Sequence, residues 1–292
     1  MGSRYVLQIM VEKVILFANR VVLSCVFVLV GALPAFSQSP PSKAALNMAL
    51  LKAAGHNRSA EVKALLAQGA DPNTKVPDSN SVAPGYTPIM LLAIHHNVDA
   101  ATIQALQKAG GDINAVDSTG STALMHASTT GAVSKVRVLL ARGAKVDIAA
   151  PDGDTALITA AFSGWEDIVR LLLDHGAKVN TQNSNGKTAL LLTANGPHGP
   201  SALAQKFYAK RVRAMQMLLS KGANVNLKAK NGSTPLMMAS YYGNVEMVKA
   251  LLKQHADVTA RDAKGRTALQ IAMQRNQSHE VIQLLKGAGA KE

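Results

Sequence analysis

The sequence predicts an all-α repeat solenoid, a stack of about seven helix-turn-helix units joined by β-hairpin fingers. Three observations carry that expectation. A Thr-Ala/Pro-aliphatic triplet recurs at Thr87-Pro88-Ile89, Thr122-Ala123-Leu124, Thr155-Ala156-Leu157, Thr188-Ala189-Leu190, Thr234-Pro235-Leu236 and Thr267-Ala268-Leu269, with successive threonines 35, 33, 33, 46 and 33 residues apart. A period in this range marks stacked supersecondary units. Leucine pairs followed by a glycine recur in register with the triplets, as Leu139-Leu140 with Gly143, Leu172-Leu173 with Gly176 and Leu218-Leu219 with Gly222. Between units, Asn-Gly at 185–186 and 231–232 supplies turn chemistry for the fingers.

Each element follows from local chemistry. The threonine is placed to cap a first helix, its hydroxyl accepting from orphan backbone N–H groups, and Pro88 or Pro235 takes the first helical position, where no N–H is needed. A second helix carries the leucine pair and stops at a glycine suited to the left-handed conformation. One such unit cannot bury its own apolar face, so neighbours must stack into a continuous core. The units fall at about 42–75, 76–116, 117–149, 150–182, 183–228, 229–261 and 262–292. In the first, counted back from Leu65-Leu66, Met48 holds the threonine position. The last turns Gln270, Gln274, Arg275 and Gln277 to solvent, and its ending Gly287-Ala288-Gly289-Ala290 is one residue out of register.

The Thr-Pro-Leu triplets and the Gly176-Ala177-Lys178-Val179-Asn180 piece, at this spacing, resemble the ankyrin repeat from about Ser42 to the C-terminus. The resemblance implies a protein-binding module or scaffold that uses its concave face and fingers. The chain departs from the family where a histidine usually follows Thr-Pro-Leu. Met90, Met125, Ile158, Leu191, Met237 and Gln270 stand there, so the usual histidine hydrogen bonds are expected to be missing.

Residues 1–37 are unlike the rest. Arg4, Lys13 and Arg20 precede the apolar run Val21 to Leu33, and Ala35-Phe36-Ser37 offers a small-x-small cleavage site, so the segment reads as a secretory signal peptide cut before Gln38. The alternative is an uncleaved anchor over residues 14–33, although Asn19 and Arg20 interrupt it and Val21 to Leu33 is short for a span of about 20 residues. Either reading exports the repeats, to the periplasm or the medium or, with the anchor, to the outer side of the membrane. Cys25, the only cysteine, lies in this segment, so the repeats hold no disulfide and must be stable by packing.

The chain carries 31 Lys and Arg against 18 Asp and Glu, a net +13. Without residues 1–37 the balance is 28 against 17. For an exported protein this points to an acidic protein of the envelope or medium, with an anionic envelope polymer or lipid as the alternative; nucleic acid is not expected. The balance also suits a solvated surface.

Three departures from the period locate candidate specificity. The finger around Val76 to Pro84 is lengthened by six residues. The span from Thr87 to Gly110 takes 23 residues against the usual 21. The fifth unit carries an insertion of 13 between its helices, centred on 195–208, in which Asn195 to Pro200 reads as a loop, Ser201 as a cap and Ala202 to Leu219 as one long helix. If that helix extends beyond the stack, it presents Lys206, Lys210, Arg211 and Arg213 beside Phe207 and Tyr208. Phe162, Tyr241 and Tyr242 fall just after the first helices of their units, with Trp165 beyond the turn and Tyr86 on a finger. These eleven residues are the expected partner contacts, since loops on a rigid scaffold and surface aromatics are where binding concentrates. Trp165 and Tyr242 could equally cover the seam between repeats. Catalytic, cofactor and metal sites are not expected: the histidines occupy different positions in different units, no metal-ligand spacing or phosphate loop appears, and Asp152 and Asp154 flank Gly153 as turn residues. An enzyme with no recognisable motif stands third, behind the protein-binding module and the adaptor.

Overall fold

The computed structural model describes residues 41–78, 83–94, 100–194, 196, 202–275 and 279–291. The expected leader, the alternative anchor, the Gln38 terminus, His95-His96, most of the Asn195–Pro200 loop, the Ser201 cap and Gln277 lie outside the described residues. Within them the chain forms seven helix pairs: α1 (Lys43–Gly55) and α2 (Ser59–Ala67); α3 (Pro88–Ala93) and α4 (Ala100–Lys108); α5 (Ala123–Thr130) and α6 (Val133–Ala141); α7 (Ala156–Ser163) and α8 (Glu166–Asp174); α9 (Ala189–Thr193) and α10 (Ala202–Ser220); α11 (Pro235–Tyr242) and α12 (Val245–Lys253); α13 (Ala268–Gln274) and α14 (His279–Gly287).

The repeated threonine starts six of the first helices as the sequence requires. Each hydroxyl accepts from the backbone N–H three residues on, at distances from 3.1 Å at Thr188 to 3.4 Å at Thr87 and Thr155. All six threonines are buried, and removing one such cap typically costs about 1 kcal/mol. The first unit differs from expectation. Ser42 caps α1, its hydroxyl accepting from Ala45 N at 3.2 Å, so the helix begins well before Met48, which stays exposed inside it. The cap thus stands earlier than the threonine register predicts, and α1 is longer than the other first helices.

First helices pack on first helices, α3 on α5, α5 on α7, α7 on α9 and α11 on α13, while second helices stack behind them, α6 on α8, α8 on α10, α10 on α12. Leu124, Leu157, Leu190, Leu236 and Leu269 follow the caps into one core, facing Leu139, Leu172, Leu218 and Leu251 of the second layer, all 2% exposed or less. Each such side chain contributes about 1.5–3 kcal/mol by leaving water.

The fingers are tight turns closed by pairs of backbone bonds, such as Asn183 N to Lys187 O at 3.0 Å with Gly186 N to Asn183 O at 2.8 Å, and Ala229 N to Ser233 O at 2.9 Å with Gly232 N to Ala229 O at 2.8 Å. Only isolated bridges, Val116 with Thr122 and Ala149 with Thr155, mark hairpin pairing among the described residues. Successive fingers bond to each other, Ser184 N to Asp152 O at 2.7 Å, Lys230 N to Asn185 O at 2.8 Å and Ala263 N to Asn231 O at 3.0 Å. The position equivalent to Ser184 one unit earlier is Pro151, which has no N–H to give; its ring instead packs over Gly120, where no Cβ would fit. A second ladder explains the recurring Asn or Asp after Gly-Ala-x-Val, which in the second unit reads Gly110-Gly111-Asp112-Ile113. Its side-chain oxygen accepts from the backbone of the next unit: Asn114 from Lys145 N (2.8 Å), Asp147 from Lys178 N (3.0 Å), Asn180 from Asn224 N (2.7 Å) and Asn226 from Asp257 N (2.9 Å).

Candidate functional site

Because the two helices of a unit run in opposite directions, fingers lie at one edge of the stack and the turns from first to second helix at the other. The insertion belongs to the turn edge. Helix α10 has 19 residues where α6, α8 and α12 have nine, so residues 202–211 are an added stretch in front of the ordinary second helix. That stretch does not extend clear of the stack with four free cations. It lies across the turns of the fourth and sixth units, and its spacing sorts the side chains by direction.

On the side toward the fourth unit are Lys206, Phe207, Lys210, Arg211 and Arg213. Arg211 donates through Nη2 to the Phe162 carbonyl at 3.0 Å and lies against Gly164. A cation there meets the negative end of α7; burial is the main influence on it and lowers its pKa. Arg213 makes a bidentate pair with Glu166, its Nη2 3.0 Å from Oε1. Lys210 stands 5.4 Å from the centre of the Trp165 ring, a cation–π contact. Trp165 in turn donates from Nε1 to the Thr129 carbonyl at 3.0 Å and covers Gly131, where a Cβ would come within 2.6 Å of its ring. It therefore closes the seam between the third and fourth units. The two residues left outward on this side are Phe162, 50% exposed, and Phe207, 37% exposed, with Lys206 exposed beside Phe207.

Toward the sixth unit the same stretch turns Tyr208, half-buried against the core. Burial raises its pKa first, opposed by the backbone N–H groups of Glu246 and Met247 at the start of α12. Tyr241 and Tyr242 belong to the last turn of α11, and Phe162 to that of α7, rather than following those helices. Their rings meet edge to face, centroids 4.9 Å apart, and the Arg275 guanidinium lies 4.4 Å over Tyr241. Arg275 is thus drawn onto the neighbouring unit. Gln270, also expected outside, is half-buried and accepts from Thr267 N at 3.0 Å in a capping box.

A second cluster, on the finger side, was not anticipated. Tyr86 is half-buried and packs on His126, centroids 4.5 Å apart, with its hydroxyl 3.1 Å from Nδ1. His126 Nε2 lies 2.8 Å from Asp117 Oδ2, and Asp117 Oδ1 accepts from Thr119 N, Thr119 Oγ1 and Ser121 N at 2.8, 2.7 and 2.9 Å. The arrangement fits a neutral imidazole that donates from Nε2 to the carboxylate and accepts the phenol proton at Nδ1. Burial, reinforced by Asp117, pushes Tyr86 up to about 12. Burial also lowers His126, more than Asp117 raises it. Burial by itself would raise Asp117, and the converging hydrogen bonds outweigh it, leaving the carboxyl below its usual range. The one signal in the sequence is His126 standing a residue after the family's histidine position, within reach of its own finger.

Among the described residues no helix is long and apolar enough to cross a membrane, and no group of three or more potential metal ligands gathers. The helix pairs, caps and ladders define a repeat protein of ankyrin type. The ankyrin-repeat sequence model matches three times, over residues 50–150, 144–199 and 202–291, and the chain belongs to the ankyrin repeat family. No curated protein matches it. Membership carries with it the expectation of a protein–protein interaction module.

Proposed function

We propose that this is an exported ankyrin-repeat module that binds an acidic protein of the envelope or medium, using its inner face, its fingers and the basic insertion of the fifth unit. The observation that carries the reading is the insertion itself. Ten extra residues are bonded down at the turn edge and leave Phe207 and Lys206 outward, with Phe162 of α7 also exposed. An aromatic anchor with cations around it is typical hot-spot composition. The leader-like residues 1–37 support export, and the net charge supports an acidic counterpart.

A second reading, an electrostatic adaptor for an anionic envelope polymer or lipid, is favoured by the stretch 175–245, which contains nine Lys and Arg and no Asp or Glu. Two of the nine are compensated by surface ion pairs, however: Arg213 pairs with Glu166, and Lys221 with Asp174 at 3.2 Å. Affinity capture from envelope extract separates the two. Retention of a protein in about 0.5 M salt, where screening acts within a few ångströms, supports shape-specific binding; complete release by salt supports the adaptor.

A further inference from the structure

We infer that the turn-edge patch formed by Phe162, Lys206, Phe207 and Lys210 is a docking site for an acidic segment of a partner protein that inserts apolar side chains between the two phenylalanines. The inference rests on the protein-binding reading and assigns it a place and a ligand chemistry. Phe207 and Arg211 are one helical turn apart on the same face of α10, and Arg211 is bonded to the Phe162 carbonyl. The two exposed rings therefore belong to helices that are joined at that bond. Among the described residues only five large apolar side chains are exposed, and Met48, Val116 and Met273 belong to other units.

The floor of the patch is rigid. Trp165 is tied to Thr129, Lys210 lies over Trp165, and Arg213 is locked to Glu166. Preorganised aromatic surface costs little entropy on binding. Its charge selects the ligand, because Lys206 and Lys210 lie in the stretch from 175 to 245 that holds no carboxylate. Glu166 and Asp167, which open α8 beside the patch, are each paired, with Arg213 and with Arg170, so the lysines set the sign of the patch. A protein segment is preferred to an anionic membrane as the occupant because the chain belongs to a family of protein-binding repeats.

The test uses the full repeat region and a fluorescein-labelled acidic peptide with two phenylalanines one helical turn apart, beside a control peptide with alanine at both places. Anisotropy is expected to show tighter binding of the phenylalanine peptide. Binding should weaken on the order of tenfold with Phe162→Ala plus Phe207→Ala, while Lys206→Ala plus Lys210→Ala should chiefly slow association and flatten the salt dependence. Circular dichroism confirms that each variant is folded; if the aromatic pair is not, Phe207→Leu alone supplies the comparison. Equal binding of both peptides, or no binding of either, overturns the patch. So does Phe207-dependent binding of phosphatidylglycerol vesicles in place of the peptide. Loss of binding with Lys230→Ala plus Lys264→Ala on the fingers, the phenylalanine variants being unaffected, overturns the patch and leaves the protein-binding reading intact.

Discussion

At Asp117 four hydrogen bonds converge on one nearly inaccessible carboxylate, and the consequence is a pH-dependent link between the second and third units. Its partner His126 is neutral in the folded protein because burial lowers its pKa from 6.5. The folded state thus takes up a proton less readily than the unfolded chain. His126 stability is fully present above about pH 6.5 and declines as pH falls from there to the lower folded pKa. Urea midpoints measured between about pH 7 and about pH 5 should fall less steeply in His126→Gln than in the parent. Parallel slopes would remove the pair from the account. His255 offers an opposite experiment. It occupies the place that Gly143, Gly176 and Gly222 fill in other units and adopts φ 58°. A side chain there strains the backbone, so His255→Gly should stabilise the protein by about 0.5–1 kcal/mol in chemical denaturation. A lower midpoint would show that the imidazole contributes more than the strain costs. The two histidines also mark what sequence could reveal. The left-handed position is legible from the glycines aligned with it. The His126 contacts are not, because they join a finger and a helix whose approach is set by stacking.

Helix α10 shows the same division at the scale of an element. Its span was readable from periodicity and the absence of breakers, Ala202 to Leu219 against Ala202–Ser220 in the structure. Its orientation was not, because the groups that capture it, the Phe162 carbonyl, Glu166 and the start of α12, come from two other units. Four cations in one sequence look like one basic patch. In three dimensions Arg211 and Arg213 hold the helix down, Lys210 covers Trp165, and Lys206 is left facing solvent. The two adjacent aromatics separate for the same reason. Tyr208 and Phe207 lie about 100° apart around the helix, so one faces the core when the other faces out. Tyr208→Ala should therefore cost about 2–4 kcal/mol as a partly buried truncation. Phe207→Ala should stay within about 1 kcal/mol as a surface change. Thermal melts of the two single variants decide the matter, and equal losses would mean that Phe207 is also part of the core.

Over the whole molecule, the period of 33 residues announced the stack before any helix was placed, since identical caps at identical intervals leave only neighbours to bury each apolar face. What the period could not announce is how neighbours are coupled. Side-chain oxygens at Asn114, Asp147, Asn180 and Asn226 reach forward one unit, fingers bond tip to tip, and Lys249 spans from α12 to Glu280 of α14 at 2.9 Å. Deleting the sixth unit, residues 229–261, keeps the register but forces α13 and α14 onto α9 and α10. Tyr208 then loses the start of α12, and Glu280 loses Lys249. The loss should exceed the contacts internal to the deleted unit, because the fifth and seventh units each lose a fitted face. The protein supplies its own local probe: Trp165 is the only tryptophan and reports the seam of the third and fourth units, whereas far-ultraviolet circular dichroism reports all helices. In the intact chain the two should unfold together, as a cooperative transition requires. In the deletion variant the dichroism transition should begin at lower denaturant than the tryptophan transition, with the seventh unit melting ahead of the fourth. Coincident curves with an unchanged midpoint would mean that the units are stable without their neighbours and that the ladders add nothing measurable to the stack.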